Sequence, residues 1–147
     1  MPMNLPLRII VQKPPAGLDY GLQKGSGSQY ETVQIQRADG GDVEFCLEVE
    51  LKNDSQAKGE PRFGGPFIQR PPLGRFIYID IGQYAGQAGA FGGRIKIAFS
   101  DISWDIIGRL TADPLALLET TIPGTGKNGA PACATVKPFD GWRLKSR

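Results

Sequence analysis

Hydrophobic and polar residues alternate most regularly from Val43 to Leu51, where Val43, Phe45, Leu47, Val49 and Leu51 are separated by Glu44, Cys46, Glu48 and Glu50. A period of two predicts a β-strand with one buried face and one wet, acidic face. Arg94 to Phe99 alternates in the same way and sends Ile95, Ile97 and Phe99 inward. Phe76-Ile77-Tyr78-Ile79-Asp80-Ile81 is apolar on both faces, the pattern of a strand central in a sheet or covered on both sides. Leu7 to Val11 and a weaker run from Thr32 to Gln36 complete the strands of the first half. Short Gly-rich and Pro-rich links between successive strands favour antiparallel pairing over βαβ crossovers.

Helical spacing is convincing only after Ser103, whose hydroxyl can accept from the free amides of a first turn. Asp105 stands at the positive end of that helix dipole, and Trp104, Ile106, Ile107 and Leu110 give about two turns. Leu118, Thr120 and Ile122 alternate again, so Leu117 to Pro123 reads as a strand. Asn128-Gly129 carries a hairpin turn signal, with Ala132, Ala134 and Val136 on a returning strand. The pattern predicts a mainly β domain over residues 1–147, an antiparallel β-barrel or β-sandwich with one short α-helix.

Length changes this picture little: 147 residues is an ordinary domain size and can bury a core without metal or disulfide staples. Twenty glycines and twelve prolines agree with many turns. A formal net charge of +2 lacks the dense one-signed field of a dedicated nucleic-acid binder, so no nucleic-acid partner is expected. Apolar residues near the N-terminus are broken by Pro6 and Arg8, and no window reaches the roughly 18 apolar residues of a membrane span. A cytoplasmic protein without membrane contact is the expectation, with a homo-oligomer left open.

Candidate chemistry is narrowed most by the absence of histidine. Ser-His-Asp and Cys-His catalysis, histidine bases and most zinc or iron sites fall away. Cys46 and Cys133 fit no metal or redox spacing and read as reduced thiols. Gly126-Lys127 resembles the end of a phosphate-binding loop, yet Thr121 and Asn128 stand where that pattern needs Gly and Ser or Thr. The glycines between Gly82 and Gly93 have no G-x-G-x-x-G spacing and no following helix, so they read as a connection. No cofactor and no metal are implied.

Carboxylates are the remaining acid–base candidates. Asp105 serves the helix dipole and Asp101 a turn, while Asp80 lies between Ile79 and Ile81 in a strand covered on both faces. An unpaired carboxylate there is costly, so a partner such as Arg75 or Arg94 is expected, with a functional carboxylate in a pocket as the alternative. Glu44, Glu48 and Glu50 read as a solvated edge that discourages aggregation, and alternatively as a surface for a basic partner. Trp142 with Arg143, Lys145 and Arg147 reads as a docked aromatic before a frayed basic tail.

The stretch Gly64-Gly65-Pro66-Phe67-Ile68-Gln69-Arg70-Pro71-Pro72, with Arg75-Phe76-Ile77-Tyr78-Ile79, resembles the central motif of a bacterial family catalogued as a domain of unknown function. Gly124-Thr125-Gly126-Lys127-Asn128-Gly129-Ala130-Pro131-Ala132-Cys133-Ala134-Thr135-Val136, then Gly141-Trp142-Arg143, resembles its C-terminal motif. Leu7-Arg8-Ile9-Ile10-Val11 and Gly21-Leu22-Gln23-Lys24-Gly25 extend the likeness over nearly the whole chain. The resemblance implies a compact bacterial domain and transfers no mechanism.

Function therefore rests on the loop from Arg62 to Arg75. Arg62, Arg70 and Arg75 offer forked donors for a carboxylate or phosphate, Phe63 and Phe67 apolar walls, and Gln69 and Tyr78 orienting groups beside Asp80. The reading is a domain that binds a small polar or anionic ligand. A protein-interaction module and a histidine-independent enzyme using Asp80 and Tyr78 stay open beside it, as does a loop whose arginines and phenylalanines are merely structural.

Overall fold

The computed structural model describes residues 3–25, 29–52, 61–69, 76–82, 91–99, 102–124 and 141–146. Among them run β1 (Met3–Gln12), β2 (Asp19–Lys24), β3 (Glu31–Arg37), β4 (Val43–Leu51), β5 (Phe63–Gly64), β6 (Phe76–Gly82), β7 (Phe91–Ala98), α1 (Trp104–Thr111), β8 (Ala116–Pro123) and β9 (Arg143–Ser146). The protein is mainly β, with one helix among the described residues. The strands form a five-stranded sheet, β5-β4-β1-β8-β9, and a four-stranded sheet, β3-β2-β6-β7.

Alternation translates directly into burial in β4, where Val43, Phe45, Leu47 and Val49 are buried while Glu44, Cys46 and Glu48 are exposed. Leu5, Leu7, Ile9 and Val11 of β1 and Ile77, Ile79 and Ile81 of β6 join the same core as Tyr20 and Leu22 of β2. Both sheets thus supply one apolar core, which suits a sandwich-like arrangement. No closed barrel forms among the described residues.

One pairing departs from the antiparallel expectation: β1 and β8 run parallel, with Leu7 opposite Leu118 and Val11 opposite Ile122. Short links dictate antiparallel order only between consecutive strands. β1 and β8 are separated by most of the chain, including α1, so no tight turn constrains their direction. Ser103 caps α1 as its sequence predicts, its Oγ accepting from the Ile106 amide at 3.2 Å. Ile107 and Leu110 are the buried face of that helix.

The C-terminal segment is not a frayed tail. Residues 143–146 pair with β8, Glu119 opposite Arg143 and Ala116 opposite Ser146. The anchor is Trp142, which is buried, stacks edge-on against Phe99 with ring centroids 5.4 Å apart, and donates from Nε1 to the Ala98 carbonyl at 3.2 Å. Asn53 to Gly59, the expected hairpin turn at 127–129, its returning strand, Cys133 and Asp101 lie outside the described residues. No described helix is long and apolar enough to cross a membrane.

Candidate functional site

β6 sits between β2 and β7, so its side chains divide between the core and the outer face of the four-stranded sheet. Ile77, Ile79 and Ile81 take the core; Phe76, Tyr78 and Asp80 take the outer face. On that face the register aligns Gly21 of β2 with Asp80, and Asp80 with Arg94 of β7. Asp80 is 2% exposed, and both of its oxygens are engaged. Oδ1 accepts from Arg94 Nε at 3.0 Å and Oδ2 from the Thr32 hydroxyl at 3.1 Å.

Thr32 belongs to β3, two strands from β6, and reaches Asp80 because Gly21 between them has no side chain. A β-carbon at Gly21 would collide with the Thr32 methyl. Four strands therefore contribute to one polar row, and the arginine expected for Asp80 is Arg94.

Two arginines on this face pair with buried aspartates, in different ways. Arg37 grips Asp19 with two nitrogens, Nε on Oδ1 at 2.8 Å and Nη2 on Oδ2 at 3.2 Å, and gives Nη1 to the Gly17 carbonyl. All three of its guanidinium nitrogens are engaged. Arg94 commits only Nε, and its Nη groups make no hydrogen bond among the described residues. Its side chain is 44% exposed.

Aromatic rings steady that half-free guanidinium. The Arg94 Cζ lies 4.6 Å from the Tyr78 ring centroid and 5.8 Å from that of Tyr30. Next along β7, Lys96 Nζ stands 3.8 Å from the Phe76 centroid. Such cation–π contacts hold a cation in place without cancelling its charge. Gln23, buried on β2, has an Oε1 that meets no donor among the described residues.

The loop residues singled out from the sequence are placed differently. Phe63 is buried, edge-on to Phe99 with centroids 5.3 Å apart, and Phe67 packs against the core. Gln69 Nε2 donates to the Gly25 carbonyl at 2.7 Å, and its amide donates to the Phe76 carbonyl at 2.8 Å. It ties the loop to the β2–β3 connection and to the start of β6. The Arg62 carbonyl accepts from the Lys52 amide at 3.0 Å. Arg70 and Arg75 lie outside the described residues, so of the eight site residues the structure brings Tyr78 and Asp80 together on one face.

Arg94, Lys96, Thr32 and Tyr30 were not singled out as ligand contacts. The alternation of Arg94-Ile95-Lys96-Ile97 was the available signal, because it puts both cations opposite the core face. On the other sheet, Arg8 Nε and Glu119 Oε2 pair at 2.7 Å across the parallel β1–β8 register, on the face of Glu44 and Glu48. Cys46 on that face is a free thiol. Partial burial and the Glu44 carboxylate beside it push its pKa up, which keeps it protonated and weakly nucleophilic near neutrality. No cluster of acidic or sulfur side chains among the described residues could hold a metal ion.

The sequence of a family of unknown function, DUF5990, matches residues 5–145. No curated protein and no solved structure matches the chain.

Proposed function

Because the chain belongs to this family of unknown function, which hands it no activity, we propose from geometry alone that it binds a small anionic ligand on the outer face of the four-stranded sheet through Arg94. The observation that carries the reading is the contrast between the two arginines. Arg37 spends its fork on Asp19 and Gly17, whereas Arg94 is fixed through Nε and presents its Nη edge at a half-exposed surface. A guanidinium fixed in this way loses little freedom when it receives a carboxylate or phosphate, and its planar fork matches both.

Asp80 then acts as a positioning residue and Tyr78 as one wall. With both carboxylate oxygens occupied, Asp80 is poorly placed to exchange a proton with a substrate, which favours binding over the histidine-independent enzyme. The loop keeps a supporting role, since Gln69 anchors it to the strand that carries Tyr78 and Asp80.

The test is a melting-temperature screen of phosphate, sulfate and carboxylate metabolites, repeated on Arg94→Lys and Arg37→Lys. A ligand that binds only the native state stabilises it by about 2.7 kcal/mol at a hundredfold excess over its Kd. Arg94→Lys preserves the charge opposite Asp80 but not the fork, and should weaken any hit at least about tenfold. Arg37→Lys should leave the shift unchanged. A panel with no hit on the wild-type protein, or hits whose shifts survive Arg94→Lys in a variant that melts normally, contradicts the reading.

A further inference from the structure

Lys96 is the second cation that β7 places on this face, two residues beyond Arg94. Side chains at i and i+2 of a strand point the same way, with Cα atoms roughly 6–7 Å apart. Asp80 lies opposite Arg94 and Tyr78 opposite Lys96, so the register supplies one carboxylate for two cations. Among the described residues Lys96 has no carboxylate partner, and its ammonium rests on the Phe76 ring. A strongly hydrated ammonium gains only modestly from a half-buried ring at the surface, and its positive charge is not cancelled. Tyr30 and Tyr78 flank Arg94 while Phe76 lies under Lys96, so the two charges are held apart over separate rings instead of converging on one point.

We propose that the ligand is a small dianion, an α,ω-dicarboxylate or a compound of equal span, with one acidic group on the Nη edge of Arg94 and the other on Lys96. The inference rests on the Arg94 reading and adds the second contact. A monoanion satisfies one cation only. A dianion too short to bridge the i to i+2 spacing gains nothing from its second charge, and one much longer has to fold back.

The experiment measures Kd by titration for succinate, glutarate, adipate, pimelate and suberate, with hexanoate as the monoanion of adipate's length. In the wild-type protein adipate should bind at least about tenfold tighter than hexanoate, the gain of one charge-assisted contact, and affinity should peak within the series. Lys96→Gln should bring adipate down to hexanoate's level in the same variant, and Lys96→Arg should restore the preference. Circular dichroism melts of both variants establish that they are folded. Equal binding of adipate and hexanoate through Arg94, or a preference that survives Lys96→Gln, overturns the dianion and leaves the anion site standing. If neither acid binds the wild-type protein, the dianion is overturned as well. The metabolite screen with Arg94→Lys then decides the fate of the anion site separately.

Discussion

Gly21 matters for what it leaves empty. The Thr32 side chain occupies the space where a β-carbon would stand, and Ile35 Cγ1 closes the far side at 3.1 Å. Gly21→Ala should push Thr32 away from Asp80 and overpack the β2–β3 pair, lowering stability by about 1–3 kcal/mol. Thr32→Ser deletes the offending methyl and keeps the hydroxyl, so the double variant should recover much of that loss in urea unfolding. Strictly additive effects would show that the two positions are not coupled. The sequence revealed part of this row. Isoleucines on both sides of Asp80 announce a buried carboxylate that needs a cation, and Arg94 was one of two candidates. Thr32 was invisible because its contact crosses an intervening strand and depends on a missing side chain. The free Nη edge of Arg94 was equally invisible, since only the comparison with Arg37, whose three nitrogens are all engaged, reveals it.

Between β3 and β4 the two sheets meet through side chains. Gln34 Nε2 donates to the Cys46 carbonyl at 3.0 Å, and Gln36 Nε2 donates to the Glu44 carbonyl two residues away. Short β5 covers β4 only at Glu50 and Leu51, and the carbonyls of Glu44 and Cys46 that would otherwise invite another strand are occupied by glutamine amides. Each such bond contributes about 0.5–1.5 kcal/mol, so Gln34→Ala with Gln36→Ala should lower the urea midpoint. The same variant should sediment as larger species at high concentration, because the stretch of β4 that β5 does not reach is uncovered. An unchanged midpoint and unchanged sedimentation would show that the seam is incidental. Elements with an uninterrupted period were legible from sequence: β4 matches its expected bounds and β6, β8 and α1 begin within a residue of theirs, whereas β1 begins four residues early at Met3 and β7 begins at Phe91, inside the glycine-rich stretch expected to be a connection. β2 was missed as an element because it offers only two apolar residues, Tyr20 and Leu22, with Gly21 between them, too few to establish a period, although Asp19, Gly21 and Gln23 are buried with them. β3 reads weakly because Gln34 has a φ of 54° and the register with β2 slips between Tyr20 and Leu22. β5 and β9 are too short, at two and four residues, to show a period.

At the scale of the molecule, the four-stranded sheet divides labour between its faces. Ile77, Ile79, Ile81, Ile95 and Ile97 fix its inner face in the shared core, which makes the outer face a rigid platform for Arg94 and Lys96. Parallel pairing of β1 with β8 could not be read from local links, yet it closes the five-stranded sheet on which that core rests. The most direct test of the anion platform is nitrogen-15 NMR of the arginine side chains during titration with a carboxylate or phosphate hit. Arg94 should show an Nε–H signal slowed in exchange by its bond to Asp80, and its Nη signals should move saturably with ligand. Those of Arg109, paired with Asp105 on exposed α1, should stay still. Uniform small shifts across all arginines, or an Arg94 signal that no anion moves, would contradict the account.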